Sequence, residues 1–197
     1  MDSPSSSPKS SGTLPYKRRR HESEVALITL SPEFEIAFKE LAREQVASGV
    51  EGYQFALSLI DKEGFDAYLK LLEEDEKGIN LPDGIVPAST FFLIRHDGRM
   101  IGRSDLRHRL TDSLRRVGGH IGYDVRASER GQGYGTLILK LTLDKARDRG
   151  FQRVLLTCDA DNVASSRIIE KNGGVLHDRE VLEETGKEKL RFWIEIS

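Results

Sequence analysis

The sequence predicts a mixed α/β fold whose sheet is mostly antiparallel. Two β-hairpins support this prediction: residues 90–95 and 100–106 flank an Asp-Gly turn, and residues 175–182 and 190–196 alternate around a second turn. Between the hairpins lies a glycine-spaced stretch where a strand ends and a long apolar helix begins. Strands interleaved with helical patterns predict helices on both faces of the sheet.

The chain before the first hairpin is predicted to supply one strand and two helices. Residues 25–30 form an apolar strand pattern. Ser31, Pro32 and Glu33 then provide a capping residue, a first-position proline and a first-turn acid, which together favour a helix start. A second amphipathic helix is predicted at residues 65–72, where aromatic and aliphatic residues recur at helical spacing.

The glycine-spaced stretch has the features of a phosphate-binding loop. Gly131, Gly133 and Gly135 alternate shortly after a strand predicted to end at Val125, and a helix is predicted over residues 134–149. Glycines keep side chains away from the backbone, so successive N–H groups can meet phosphate oxygens beside the positive end of the helix dipole. A nucleotide-bearing cofactor is therefore the expected ligand.

Spacing separates the candidate cofactors. A Walker loop is excluded because Gly135 is followed by Thr136 rather than by the required Lys. The dinucleotide fingerprint fits Gly131 and Gly133 but needs a third glycine where Thr136 stands. Asp159, at the end of the next predicted strand, could play the ribose-binding acid and keeps this alternative open, although too little chain follows for a complete doubly wound sheet.

A second strand and helix follow the loop and its helix. Residues 153–158 form a β-favouring apolar run. Asn162 then stands at a helix N-cap position with Ser165 in the first turn, and Gly173 and Gly174 supply the stop signal. The chain therefore repeats the order of strand, turn and helix.

This order of motifs resembles the coenzyme A site of the GNAT acetyltransferase superfamily. The resemblance rests on Arg130-x-x-Gly133-x-Gly135 after a strand, then on a strand, Asn-x-x-Ser, a short helix and Gly-Gly, and it covers approximately residues 31–196. Further phrases look like one little-characterised group of predicted acetyltransferases, namely those at residues 80–84, 86–87, 106–110, 118–123 and 170–174. The resemblance implies a GNAT-type sheet with a splayed central strand pair, and acetyl-CoA as the cofactor.

The same resemblance implies a set of cofactor-binding residues. They are Val125, Arg130, Gly131, Gln132, Gly133, Tyr134, Gly135, Thr136, Asn162 and Ser165. Plain helix capping explains Asn162 and Ser165 equally well. The helical region between the first two strands is expected to shape the acceptor site.

Acetyl transfer to an amine needs a neutral nucleophile, a polarised carbonyl and a proton for the leaving thiolate. The predicted catalytic residues are Tyr123 and His120 on the fourth strand, with Asp124 as a further candidate. Strand alternation places Tyr123 on one face and the other two on the opposite face, unless a bulge intervenes. Many relatives carry a proton-donating tyrosine in the helix after the asparagine, and Ile169 occupies that position here, so the general acid stays open.

Arg107 and His108 are the predicted substrate-binding residues. Both stand late in the third strand, where they can line the acceptor pocket or bind a carboxylate of the acceptor. Arg103, Arg107 and Arg109 also share one strand face, which on an exposed surface would be solvated charge. The two interpretations remain open.

The composition is that of an ordinary globular domain. The 197 residues are 38% hydrophobic and 31% charged. They contain neither the run of roughly 20 apolar residues that a membrane span needs nor a secretory signal, so a cytoplasmic location is expected. The single cysteine, Cys158, excludes an intrachain disulfide and argues against a cysteine-based metal site, and no metal is predicted.

Residues 1–22 are predicted to be a disordered, Ser/Pro-rich basic tail ahead of a GNAT domain at residues 23–197. The tail carries five basic and two acidic residues, although the whole chain has a net charge of −2. The basic run from Lys17 to Arg20 can act as a nuclear address, as an arm for acidic surfaces, or as a solvated arm without a receptor.

The predicted function is transfer of an acetyl group from acetyl-CoA to a primary amine of a small molecule. The expected partner is that amine, with no membrane or nucleic acid, and the protein is expected to be a monomer or a homodimer. Three alternatives remain: a protein lysine or N-terminal amine as acceptor, a non-enzymatic acyl-CoA-binding module, and a nicotinamide-binding module.

Overall fold

The computed structural model describes residues 24–183 and 185–196. The predicted tail lies outside these residues. The described elements, in chain order, are β1 (Val25–Ile28), α1 (Glu35–Ala47), α2 (Tyr53–Glu63), α3 (Phe65–Lys77), β2 (Ala88–Arg95), β3 (Met100–Arg107), α4 (Asp112–Arg116), β4 (Ile121–Val125), α5 (Tyr134–Asp148), β5 (Arg153–Asp159), α6 (Val163–Lys171), β6 (Val175–Val181) and β7 (Glu188–Glu195).

The strands form two antiparallel sheets, which confirms the predicted fold class. The first has the order β1-β2-β3-β4 and the second the order β5-β7-β6. Both predicted hairpins are present, as β2–β3 and β6–β7. The C-terminal strand β7 lies between β5 and β6, as expected for a strand packed into the sheet.

The backbones of the two sheets are hydrogen-bonded to each other just before β4, and from there β4 and β5 diverge. An isolated bridge pairs Gly119 with Leu156. The backbone N–H of His120 donates to the carbonyl oxygen of Leu155 at 2.7 Å, and the N–H of Gly118 donates to Thr157 Oγ1 at 2.8 Å. A Cβ on Gly119 would lie 2.3 Å from the Leu155 carbonyl oxygen, so only glycine allows the contact. The predicted splayed strand pair is confirmed.

Helices cover both faces of the first sheet. On one face, α5 buries Leu139 and Leu143 in a core that contains Leu106 of β3 and Leu156 of β5. On the other face, α1, α2 and α3 bury an aromatic cluster against β2. The Phe38 ring lies 4.9 Å from Tyr68 and meets Phe92 edge-on at 5.6 Å, centroid to centroid.

Local signals set most element ends. Asn162 caps α6 as predicted, because its side-chain oxygen accepts the N–H of Ser165 at 3.0 Å. At the predicted helix start, Ser31 makes no capping hydrogen bond with its side chain, and a 3₁₀ turn at Pro32–Phe34 precedes α1. Helix α2 was not predicted. Its buried face holds Tyr53, Ala56 and Ile60.

Cys158 lies in the core of the second sheet. It is 6% exposed and makes no disulfide. Burial raises the pKa of its thiol, which makes the reactive thiolate scarce at neutral pH. In the part of the chain that the structure describes, no helix has the length and hydrophobicity to cross a membrane.

Candidate active site

The exposed edge of β4 directs peptide groups into the gap beside β5. Arg107 donates its N–H to the carbonyl of His120 at 2.8 Å, and Arg126 donates to Ile101 at 2.9 Å. In an antiparallel pair, hydrogen-bonded residues alternate, so the even-numbered residues of β4 turn towards β3. The peptide groups of Tyr123 and Val125 therefore face the gap, where they can hold an extended ligand as a neighbouring strand would.

The glycine loop at the start of α5 offers a cluster of backbone donors. Gly131 and Gly133 have φ of 76° and 91°, and a Cβ on either would meet nothing within 4 Å. The N–H groups of Gly131, Gln132, Gly133 and Gly135 donate to no acceptor among the described residues. Together with the N-terminus of a 15-residue helix, these donors suit an anion.

These features fit the pyrophosphate of coenzyme A. Donors without protein partners surround an open position at the positive end of α5, and the exposed Arg130 adds a cationic side chain. The Nε of Arg130 donates to the Val125 carbonyl at 3.0 Å, which ties the loop to the end of β4. The loop and the open edge of β4 are thus adjacent parts of one site.

Three of the predicted cofactor residues have structural reasons of their own. A Cβ on Gly135 would lie 2.7 Å from Ile168 Cδ1, so this glycine allows α5 and α6 to pack closely. The Tyr134 side chain is 2% exposed and packs in the core. The N–H of Thr136 already donates to the Gly133 carbonyl at 3.1 Å.

Arg126 and Glu44, which were not predicted as site residues, connect the loop to α1. Arg126 is 4% exposed and donates to Glu44 Oε2 of α1 at 2.8 and 2.6 Å, and to the Met100 carbonyl at 2.9 Å. Burial opposes ionisation of Glu44, but hydrogen bonds from Arg126 and Ser128 outweigh it and lower its pKa to about 2. The carboxylate is therefore a permanent anchor at physiological pH.

Glu129 is a second anchor that the sequence analysis missed. Its side chain is 8% exposed and accepts Arg99 Nε at 2.7 Å and Gln132 Nε2 at 3.0 Å. Arg95 Nη1 lies 3.4 Å from Oε2 of Glu129, the same oxygen that accepts from Gln132. The side chain of Gln132 therefore supports the loop, and its backbone N–H stays available to a ligand. An acid three residues before Gln132 was the available sequence signal.

Tyr123 points towards α6. Its hydroxyl lies 3.0 Å from Ser165 Oγ, so two predicted site residues meet across the gap. Burial raises the pKa of Tyr123 to about 12, and the hydrogen bond with Ser165 lowers it by less. The phenol therefore keeps its proton at neutral pH. Ile169, where relatives carry a tyrosine, is fully buried in the core.

His120 contacts β5, the strand on the other side of the gap. Its Nδ1 accepts the N–H of Leu155 at 2.9 Å, and its ring packs edge-on against Phe151 at 5.4 Å. Burial, reinforced by Arg115 and Arg107, lowers the pKa of His120 to about 4. The imidazole is therefore neutral at pH 7, with its proton on Nε2 and its lone pair already used.

Asp124 faces α1 and α2, on the side of β4 opposite to Tyr123. It accepts hydrogen bonds from Gln45 Nε2 at 2.5 Å and from Tyr53 Oη at 2.9 and 3.1 Å. Burial raises the pKa of its carboxyl group. Tyr123 and Asp124 thus diverge as strand alternation predicts.

The two predicted substrate-binding residues lie in different parts of the structure. Arg107 donates to the carbonyls of Gly118 and Gly119 at 3.2 and 3.0 Å, and it lies over Gly122 on the same face as Asp124. His108 Nε2 instead lies 2.8 Å from Ser89 Oγ, in a group at the sheet edge that also contains Glu76. Only Arg107 lies beside the central strand pair.

Comparison with known proteins identifies the family of this chain. The family model described as acetyltransferase (GNAT) domain matches residues 37–175, more than half of the chain. A search of curated protein sequences found no match. Among solved structures, RimJ of Mycobacterium smegmatis in complex with CoA-disulfide is 16% identical, with a TM-score of 0.63 over 87% of this chain and 81% of that chain.

Two further structures show the same fold at low identity. RimL, a ribosomal L7/L12 alpha-N-protein acetyltransferase in complex with coenzyme A, is 16% identical, with a TM-score of 0.61 over 88% of this chain and 94% of that chain. The spermidine N-acetyltransferase of Vibrio cholerae is 15% identical, with a TM-score of 0.58 over 89% and 95%. This chain belongs to the GNAT acetyltransferase family, and it is an acetyl-CoA-dependent N-acetyltransferase.

Replacing Gly133 by Val should abolish coenzyme A binding while the domain still folds. The side chain would occupy the open space beside the loop, and the positive φ adds strain of roughly 1–3 kcal/mol. Gly150→Val is the matched control, since Gly150 has φ of 84° and an open Cβ position at the other end of α5. The measurement is the rise in melting temperature with coenzyme A. Equal responses of the two variants would refute the loop assignment.

Replacing His120 by Asn should reduce the pH dependence of stability. The histidine pKa is about 4 in the folded protein and about 6.5 in an unfolded chain. Its stabilising effect is therefore complete above pH 6.5 and is lost as the pH falls towards 4. Asparagine can accept the Leu155 N–H without titrating. Denaturant unfolding from pH 7.5 to 4.5 should show the wild type losing more stability than the variant, whereas parallel curves would contradict the prediction.

Proposed function

We propose that this enzyme transfers the acetyl group of acetyl-CoA to a primary amine of a small molecule. The observation that carries the proposal is that Asp124 is enclosed between β4 and helices α1 and α2. Its hydrogen-bond donors Gln45 and Tyr53 are 0% and 1% exposed. An enclosed carboxylate suits a single amino group on a slender molecule better than a lysine on a folded protein surface.

The loop and β4 would hold the cofactor. The N–H groups of Gly131, Gln132 and Gly133 would bind its pyrophosphate, and the peptide groups of Tyr123 and Val125 would align its pantetheine arm. Bound acetyl-CoA supplies an activated thioester. Asn162 supports this arrangement indirectly, because it fixes the first turn of α6 and with it Ser165.

Tyr123 is the proposed proton donor. Its Oη holds a proton throughout the physiological pH range, because its pKa is about 12. Ser165 Oγ, at 3.0 Å, orients the hydroxyl and can return a proton to it. In this proposal Tyr123 supplies the function that Ile169 cannot.

His120 is proposed to position the strands, since its Nδ1 cannot act as a base without releasing Leu155. Arg107 would hold the carbonyls of Gly118 and Gly119 and present its remaining charge to an acidic group of the acceptor. His108 would affect the acceptor side through Ser89 and Glu76.

An amine panel tests the acceptor class. Purified enzyme with acetyl-CoA is offered polyamines, amino acids and simple alkylamines in parallel with N-terminal and lysine peptides, and acetylated products are identified by mass spectrometry. We expect products from the small amines, with kcat/KM well above that for the peptides. Products from peptides alone would replace the proposal with a protein acceptor. Coenzyme A binding without any product would favour a binding module.

Replacing Tyr123 by Phe should lower kcat by roughly a hundredfold and leave the KM for acetyl-CoA nearly unchanged. The ring that packs against the core remains, and only the proton donor is lost. Ser165→Ala is the comparison variant, which keeps the phenol but removes its partner and should lose less. Steady-state kinetics on the best amine of the panel gives both constants. An unchanged kcat in Tyr123→Phe would remove this residue from the chemistry.

A further inference from the structure

A buried polar group on the α1/α2 face of β4 has one acceptor with no partner. Gln45 is 0% exposed, and its Nε2 donates to Asp124 Oδ1 at 2.5 Å. Its Oε1 is buried and accepts no hydrogen bond from any described residue. Turning the amide over would place Oε1 against the carboxylate, oxygen facing oxygen, so the Asp124 contact fixes the amide as described.

An orphaned buried acceptor indicates a missing donor. Buried carbonyl oxygens are nearly always hydrogen-bonded, since leaving one unpaired costs its full desolvation. By the geometry of an amide, Oε1 lies within about 2.5 Å of the nitrogen that contacts Asp124. The missing donor must therefore lie close to the carboxylate.

The charge around Asp124 specifies the donor further. Arg103, on the neighbouring strand, gives three hydrogen bonds to Asp105, at 3.1, 3.1 and 2.7 Å. No Lys or Arg among the described residues forms an ion pair with Asp124. Asp75 on α3 is a third carboxylate that interacts electrostatically with Arg103. Three acids thus share one arginine, and Arg107 is occupied with backbone carbonyls.

The Arg103–Asp105 pair is partly open to solvent. Its two side chains are 25% and 21% exposed, whereas Tyr53 is buried. The Arg103 guanidinium lies 5.6 Å from the centre of the Tyr53 ring. The partly exposed ion pair therefore adjoins one of the two side chains that donate to Asp124.

We propose that Asp124, Gln45 and Tyr53 form the subsite that receives the protonated amino group of the acceptor. The amine would donate one N–H to Asp124 and another to Gln45 Oε1, while Tyr53 and Gln45 Nε2 hold the carboxylate in place. The subsite rests on the proposed function, and it identifies the substrates as primary amines that are cationic in solution and carry the reacting nitrogen at the end of an unbranched chain.

The same carboxylate accounts for the proton that the amine must lose. The proton passes from the ammonium nitrogen to a carboxylate oxygen of Asp124, leaving a neutral amine and a neutral carboxylic acid. Burial, which raises the pKa of Asp124, favours the acid form. The lone pair of the amine is then available to the acyl carbon, with Tyr123 on the opposite side of the strand.

The test compares Asp124→Asn with Asp61→Asn on the best amine of the panel. Asp124→Asn removes the ionic partner and the base, so the KM for amine should rise about ten- to a hundredfold with a fall in kcat. The KM for acetyl-CoA and the thermal shift with coenzyme A should stay at wild-type values. Asp61→Asn is the matched control, because it removes an exposed carboxylate from α2 outside the group around Arg103, and its kinetic constants should change little.

Tyr53→Phe and Gln45→Met extend the test to the rest of the subsite. Each removes a polar group while nearly conserving volume, so both should raise the KM for amine several-fold and spare that for acetyl-CoA. If Asp124→Asn does not fold, as judged by its response to coenzyme A, these two variants decide the matter. An unchanged amine KM in them, or in a folded Asp124→Asn, overturns the subsite. A wild type that acetylates no small amine overturns the proposed function instead.

Discussion

The short junction between β5 and residues 118–120, just before β4, is the constraint on which the rest of the site depends. Gly119 and His120 fasten the two strands at Leu155, and beyond that point each strand belongs to a different sheet. A continuous ladder would have used the peptide groups of Tyr123 and Val125 internally. Because the strands part, these peptide groups bond to no neighbouring strand, and an extended ligand can complete the sheet there.

Helix α1 links the cofactor loop to the α1/α2 face of β4. Its consecutive residues Glu44 and Gln45 have separate tasks: Glu44 binds Arg126 and the N–H of Ser128 in the cofactor loop, and Gln45 binds Asp124. Both contacts depend on the same helical turn. A displacement of α1 would therefore disturb the phosphate loop and the acceptor face together, which gives the enzyme a rigid frame for two substrates.

The sequence allowed prediction wherever the governing interactions are local. Hairpin turns, the helix that begins at Tyr134 and the Asn162 cap depend on residues a few positions apart, and the structure contains them. Helix α2 was missed because apolar residues occupy several of its faces, including Phe55, which is 62% exposed. Such a distribution hides the helical period.

The partners of Asp124 could not be predicted in the same way. Gln45 and Tyr53 lie 79 and 71 residues away along the chain, and no periodic pattern connects positions so distant. Gly135 shows that a motif residue can have a second role. Its spacing suggested a phosphate role, yet the space its missing side chain leaves is filled by Ile168. The motif therefore predicts that a glycine is required at this position, but it does not show whether ligand binding or helix packing requires it.

The burial of Cys158 has a practical consequence for enzymology. Coenzyme A released during turnover carries a free thiol, which chromogenic disulfide reagents detect directly. The protein has one cysteine, and its thiol is 6% exposed with a raised pKa. The folded enzyme will therefore contribute almost no background colour, and slow variants can be assayed at high protein concentration without masking the signal.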